Sequence, residues 1–129
     1  MAPTTPAPGA PARLRVLLVE DNPDGRDTLR LLLQMYGYEV EVAEDGGAGV
    51  DKALGWRPDA AVVDIGLPVL NGYEVAERVR ASLGRSVYLI ALTGYAQFAD
   101  RQRAYQAGFD VHLTKPADPD ELYRLLGEG

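Results

Sequence analysis

The strongest constraint on the fold is a repeated alternation between two kinds of segment. One kind is a short, nearly continuous apolar run: Val16-Leu17-Leu18-Val19, Ala60-Ala61-Val62-Val63 and Val87 to Leu92. These runs lack the period-two alternation of a half-solvated strand, so they suit strands covered on both faces, as in a parallel sheet. Tyr38 to Ala43 and Val111 to Leu113 are weaker members of the series. The other kind has helical spacing. Leu29, Leu32, Leu33 and Tyr36 stand at i, i+3, i+4 and i+7, with Gly37 placed to stop the helix. Leu122, Leu125 and Leu126 repeat the pattern after Asp118-Pro119-Asp120-Glu121, where an Asp cap, an early Pro and further acids mark a helix start. Ala48 to Leu54, Tyr73 to Ala81 and Phe98 to Ala107 complete the helices. Gly55, Gly84 and Gly108 are expected to close these three, with Trp56 packing just beyond the second. Five strands alternating with five helices predict an α/β fold: a doubly wound, five-stranded parallel sheet with helices on both faces.

A chain of 129 residues fits one domain, and at that size a single core is feasible without staples. Residues 1–12 (MAPTTPAPGAPA) are uncharged and dominated by Pro, Ala and Thr, which predicts a disordered tail or linker leading into a domain over 13–129. The segment reads equally well as a native leader, a linker remnant or an end added for expression. There is no internal repeat. Cysteine is absent, so disulfides and thiolate metal sites are excluded. The net charge of -6 argues against a general electrostatic grip on nucleic acid, although thirteen basic residues leave room for a local basic face. No apolar window reaches the roughly 18 residues of a membrane span. The start lacks the basic and apolar regions of a secretory signal, so cytoplasmic residence is the expectation.

In open α/β sheets ligands bind beyond the carboxyl ends of the strands. Glu20 and Asp21 directly follow the first run, Asp64 follows the third, Thr93 ends the fourth and Lys115 ends the fifth. These five should share one rim. Asp59 and Asp110 precede their strands and belong to the opposite rim, while Asp24, Asp27, Asp51 and Asp100 fall in helical or loop stretches. Glu20, Asp21 and Asp64 form a hard-oxygen cluster that either takes up protons or recruits a cation. Magnesium suits such ligands; with no cysteine and one histidine, zinc does not. A carboxylate can attack phosphorus to give an acyl phosphate. A cation, the Lys115 ammonium and the Thr93 hydroxyl would then cover the three phosphoryl oxygens. Lys115-Pro116 is a candidate cis peptide. Taken singly, each residue has a plainer reading: an acidic helix start at Glu20-Asp21 with Asn22 as cap, a turn hydroxyl, a surface lysine, a solvated aspartate. The stretch Gly46-Gly47-Ala48-Gly49 lacks the full spacing of a dinucleotide loop.

The motifs VLLVED with Glu20-Asp21, DIGLPVLNG with Asp64, Pro68 and Gly72, ALTGY with Thr93, and LTKP with Lys115-Pro116 occur in that order, each at the end of an apolar run. In this the chain resembles the receiver domain of two-component response regulators, from Arg13 to Leu126. The resemblance implies a flavodoxin-like (βα)5 sandwich with strand order 2-1-3-4-5. It implies that Asp64 accepts a phosphoryl group from the phosphohistidine of a sensor histidine kinase or histidine phosphotransfer protein. Glu20, Asp21, Asp64 and the Gly66 carbonyl would hold Mg2+, and Thr93 and Lys115 would bind the phosphoryl group. Such a domain catalyses its own phosphotransfer and dephosphorylation rather than acting as a conventional enzyme. Movement of Thr93 and of an aromatic on the last strand would reshape the face made by the fourth helix, fifth strand and fifth helix. Output would pass to a downstream protein target or a further output domain, with no direct nucleic-acid contact and with room for a phosphorylation-dependent homodimer.

The switch aromatic usually stands three residues before the lysine, and here that position is His112. An imidazole can rotate as well, and it titrates near neutrality. A switching His112 and a packed, static one both stand open. Gly66 and Tyr95 occupy the positions that tune phosphate lifetime, Gly66 leaving space above the acceptor and Tyr95 able to shield it. Two other functions remain to be weighed: an aspartate-nucleophile phosphatase, in which a second Asp commonly stands where this chain has Gly66, and an unphosphorylated interaction module, which usually loses the acceptor or the lysine.

Overall fold

The computed structural model describes residues 14–67, 69–94 and 98–128. The 1–12 tail, Pro68 and Tyr95 lie outside the described residues. Ten elements alternate: β1 (Arg15–Val19), α1 (Pro23–Met35), β2 (Glu39–Ala43), α2 (Gly46–Trp56), β3 (Ala60–Asp64), α3 (Gly72–Leu83), β4 (Tyr88–Thr93), α4 (Phe98–Ala107), β5 (Val111–Thr114) and α5 (Pro119–Glu128). All strand pairings are parallel and the order is β2-β1-β3-β4-β5. The fold is the doubly wound, flavodoxin-like sandwich expected.

Strand residues alternate between two apolar layers. Leu17, Val19, Ala61, Val63, Leu89 and Ala91 face α2, α3 and α4 through Val50, Ala53, Val75, Val79 and Ala104. Val16, Leu18, Val62, Ile90, Leu92 and Leu113 face α1 and α5 through Leu33, Leu122 and Leu126. Past the partly buried first residues of β1 and β4, a β1, β3 or β4 residue is therefore buried whichever way it points, which is why these strands read as unbroken apolar runs. The edge strand β2 has only one end inside, and its exposed Glu39 and Glu41 give it the weaker signal.

The starts of α1 and α5 follow the sequence cues at Asn22 and Asp118, and α3 carries a cap of its own. The Asn22 side chain accepts from the backbone N–H groups of Asp24 and Gly25 at 3.0 and 3.4 Å, and Asn71 with Glu74 forms a reciprocal capping box on α3. The Asp118 carboxylate accepts from the Asp120 N–H at 3.0 Å.

Helix α2 corrects two expectations. It begins at Gly46, capped by Asp45, whose carboxylate accepts from the Ala48 N–H at 2.8 Å. It also runs through Gly55 to Trp56, and Arg57 takes the left-handed closing position at φ 52°. Gly55 therefore lies inside the helix, and Trp56 is its last residue rather than one beyond it. The two extra residues keep Trp56 against the core, where the Arg15 guanidinium stacks 4.3 Å from its ring centroid. Gly46 is required by packing: a Cβ there would collide with the Leu70 carbonyl oxygen.

The acids assigned to the opposite rim hold strand starts together. Asp59 accepts from the Arg15 N–H at 2.8 Å. Asp110 accepts from the Leu89 N–H at 2.8 Å and pairs with Arg80 at 2.6 Å.

Candidate functional site

The carboxyl ends of β1, β3, β4 and β5 meet at one rim. Glu20 follows β1, and its N–H is drawn onto the Ala43 carbonyl of β2 at 3.1 Å. Asp64 is the last residue of β3 and pairs in register with Leu92. Thr93 closes β4, and its carbonyl accepts from the Lys115 N–H at 2.8 Å, so the lysine just past β5 is tied to β4, the strand between β5 and the one carrying Asp64. The Lys115–Pro116 bond is cis.

The side chains converge accordingly. Lys115 Nζ lies 2.9 Å from Asp64 Oδ2 and 3.0 Å from Glu20 Oε1. Asp64 Oδ1 accepts from the Gly66 N–H at 3.0 Å, and Glu20 Oε2 accepts from the Asn22 N–H at 3.3 Å. Carboxylate oxygens of Glu20, Asp21 and Asp64 all lie within 4.8 Å of one another. Glu20 and Asp64 are both buried, with 4% and 10% of their side-chain surfaces exposed, and Asp21 is exposed. Thr93 is buried, with 4% of its surface exposed. Above Asp64 there is room: a Cβ added to Gly66 would come no nearer than 3.9 Å to Asp64 Oδ1. Gly72 closes the loop from beneath, since a Cβ there would stand 2.6 Å from the Asp64 carbonyl oxygen.

Burial, the Asp64 side chain and its negative charge raise the Glu20 pKa against the opposing pull of Lys115. For Asp64, burial also pushes upward, but hydrogen bonds with Glu20, Lys115 and the Gly66 N–H outweigh it and hold the carboxyl below its ordinary range. Burial would lower the Lys115 pKa, yet its two carboxylate partners raise it. The cluster therefore concentrates its tendency to protonate on Glu20 and keeps Asp64 ionised beside a charged lysine.

Three hard-oxygen groups against one ammonium leave an excess of negative charge that suits a divalent cation. The donor set, all carboxylate and close enough to share one partly hydrated ion, fits magnesium. A groove of about 560 Å3 opens beside Glu20 and Lys115, walled by Asn22, Leu29, Leu92 and Pro116.

His112 is not part of this cluster. It pairs in register with Ala91 and lines a separate groove of about 430 Å3 between α4 and α5, with Arg101, Tyr105, Asp118 and Glu121. Arg26, which sequence reasoning did not single out, lies under the acid pair: its guanidinium donates to the Glu20 carbonyl at 3.1 Å. No local sequence signal marks it, because the contact reaches back across the β1–α1 turn.

The family model for the response regulator receiver domain matches residues 16–126. The chain belongs to the response regulator receiver domain family. Among curated proteins, the receiver chain is 40% identical over 116 residues to a 14.6 kDa protein encoded in the sodA1 3′ region of Leptolyngbya boryana, covering 89% of this chain and 88% of that one. It is 38% identical over 109 residues to the response regulator MprA of Mycolicibacterium vanbaalenii, covering 84% of this chain but 47% of the other, so it spans about half of that regulator's length. Among solved structures, the receiver domain of the sensor histidine kinase PA1611 from Pseudomonas aeruginosa superposes with a TM-score of 0.83 at 41% identity, covering 91% of this chain and 97% of that one. That structure has a magnesium ion coordinated in its active-site cleft. Among the described residues of this receiver, no helix is long and apolar enough to cross a membrane.

Proposed function

We propose that the receiver unit, residues 13–129, is a cytoplasmic phosphoacceptor that takes a phosphoryl group from a partner's phosphohistidine onto Asp64. The observation that carries this reading is an aspartate kept ionised at the carboxyl edge of the sheet, under an open Gly66 and between Lys115 and the Glu20-Asp21 pair. A sealed carboxyl could not attack, and a protonated one would be a poor nucleophile.

Glu20, Asp21, Asp64 and the Gly66 carbonyl would hold Mg2+. When bound, the ion neutralises charge on the transferring phosphoryl group. An Asp64 carboxylate oxygen forms the new O–P bond as the N–P bond of the phosphohistidine breaks, and the imidazole leaves with the bonding pair. Lys115 is within hydrogen-bond reach of Asp64 and can transfer its contact to a phosphoryl oxygen. Thr93, at the end of the neighbouring strand, can donate its hydroxyl to another. The groove beside Lys115, with apolar walls from α1 and the loop before α5, suits a helix of a histidine kinase or histidine phosphotransfer partner. Hydrolysis of the acyl phosphate would reset the domain.

The signal would leave through the α4-β5-α5 face, where Thr93 and His112 are the switch candidates, to a downstream protein or an output domain. A phosphorylation-dependent homodimer through the same face fits this output. The test is incubation with Mg2+ and a small phosphoramidate donor, followed by intact mass measurement. One hydroxylamine-labile phosphoryl group per chain, absent in Asp64→Asn, is the expected result. Steady turnover of unrelated phosphate esters would make the protein a phosphatase instead, and no adduct at all would leave an interaction module.

A further inference from the structure

We infer that Arg26 is a positioning residue for the cation site: its guanidinium fixes the backbone that carries Glu20 and Asp21 and thereby sets the affinity for Mg2+. This inference rests on the reading of Glu20, Asp21 and Asp64 as the cation's ligands.

Glu20 leaves the sheet with its N–H bonded to the Ala43 carbonyl at 3.1 Å. Its own carbonyl points back toward the first turn of α1 and accepts from Arg26 Nη1 at 3.1 Å. Both ends of the Glu20 backbone are thus tied, one to β2 and one to α1. The next residue, Asp21, is exposed, so its direction follows from the peptide that carries it. A fixed Glu20 carbonyl fixes that peptide plane, and with it the direction from which the Asp21 carboxylate approaches the site.

Arg26 is itself held for this task. Its N–H closes the first turn of α1 onto the Asn22 carbonyl at 2.9 Å. Its side chain is 13% exposed, unusual for an arginine at the start of a surface helix. Its second guanidinium nitrogen stands 3.5 Å from the carboxylate of Glu44, in the loop after β2. Glu44 is 77% exposed, and a bridge to so solvated a partner does not account for burying the guanidinium. The carbonyl contact does. Only a planar fork reaches a carbonyl on one side and a carboxylate on the other, so arginine and lysine are not equivalent here.

Two effects of Arg26 on Mg2+ have opposite signs, which makes the inference decidable. As a buried positive charge near the ligands, Arg26 repels the cation, and removing it should tighten binding. As a fastener of the ligand backbone, it helps the cation, and removing it should weaken binding. Partners that orient metal ligands typically change affinity by about 10–100-fold when removed, and the geometry favours this second effect.

The experiment is isothermal titration of Mg2+ into the full chain for wild type, Arg26→Met, Arg26→Lys and Glu44→Gln, with thermal melts in metal-free buffer to establish folding. Arg26→Met keeps an apolar stem, and Arg26→Lys keeps the charge. Both should bind Mg2+ about tenfold more weakly. Their rate of phosphorylation by a small acyl phosphate should return to the wild-type rate at saturating Mg2+, a recovery that general loss of structure would not give. Glu44→Gln should stay within about threefold of wild type, as befits a solvated pair. Tighter or unchanged binding in Arg26→Met, or wild-type binding in Arg26→Lys, overturns the inference, and the lysine variant decides alone if the methionine variant does not fold. Failure of the wild type to bind Mg2+ would instead sink the proposed function, and this inference with it.

Discussion

Lys115 Nζ stands 2.9 Å from Asp64 Oδ2, joining the tip of β5 to the tip of β3 across 51 residues of sequence. The same ammonium reaches Glu20 at 3.0 Å, so a single cation holds two carboxylates from different strands. On the proposed function, Lys115 would be both a binding group for an incoming phosphoryl oxygen and a competitor of any metal for the same acids.

The two roles separate in Lys115→Ala. Without the ammonium the carboxylates attract a divalent ion more strongly, so Mg2+ should bind more tightly than in the wild type. Phosphoryl transfer should nevertheless slow by on the order of 100-fold, the scale seen when a preorganised charge-stabilising donor is lost. Calorimetry and a single-turnover phosphorylation time course check the pair. Weaker Mg2+ binding together with unchanged transfer would contradict both roles.

The three coupled groups set distinct pH windows for metal-free stability. Asp64 has a lowered pKa, so its contribution is present above its ordinary 3.8 and is lost as pH falls through the folded value. Lys115 has a raised pKa, so its contribution is present below 10.5 and is lost as pH rises through the folded value. Glu20 is also raised, hence its favourable contribution is complete below 4.5 and disappears as pH climbs through its folded value. The metal-free protein should therefore lose stability above pH 4.5 in a way that Glu20→Gln removes. The variant should melt at a higher temperature than the wild type near neutrality without metal, yet gain less from added Mg2+. Melting curves across pH, with and without Mg2+, decide it.

Two glycines should respond to alanine with opposite signs. Gly55 is exposed inside α2, and an added Cβ there meets nothing within 4 Å. Gly55→Ala should stabilise by about 0.5–1 kcal/mol, the ordinary preference for Ala within a helix. At Gly72 the new Cβ would press on the Asp64 carbonyl and the Ile65 Cα at 2.6 and 2.7 Å, both backbone atoms. Gly72→Ala should cost about 1–3 kcal/mol. Urea unfolding measures both, and destabilisation by Gly55→Ala would restore that glycine to the closing position of the helix.

These residues show what was legible. The order of strands and helices could be read because β1, β3 and β4 are buried on both faces, and burial on both faces writes unbroken apolar runs. The rim could be read because a parallel sheet puts every strand's carboxyl end on the same side, so Glu20, Asp64, Thr93 and Lys115 had to be neighbours. The end of α2 could not, since Arg57 rather than glycine takes the left-handed position and Trp56 packing extends the helix past Gly55. Arg26 was invisible for a different reason. Its partner is a main-chain carbonyl, and a carbonyl leaves no mark in the sequence.

His112 offers a test of the proposed output face. Its groove brings Arg101 and Tyr105 of α4 opposite Asp118 and Glu121 at the start of α5, so a change in its rotamer would be felt on both helices. His112→Ala should leave Asp64 phosphorylation at the wild-type rate and abolish the phosphorylation-dependent contact with the downstream partner, read as binding with and without a bound phosphoryl mimic. Partner binding that still responds to phosphorylation in the variant would make His112 a packing residue.

The most direct measurement locates the phosphoryl group itself. After reaction with the donor and Mg2+, borohydride reduction converts an aspartyl phosphate to homoserine, and peptide mass mapping then identifies the residue changed. Homoserine is expected at position 64 and at no other acid, dependent on Mg2+ and on Lys115. A phosphoryl group mapped to a hydroxyl or imidazole side chain, or an Asp64 left unmodified under these conditions, would contradict the proposed function.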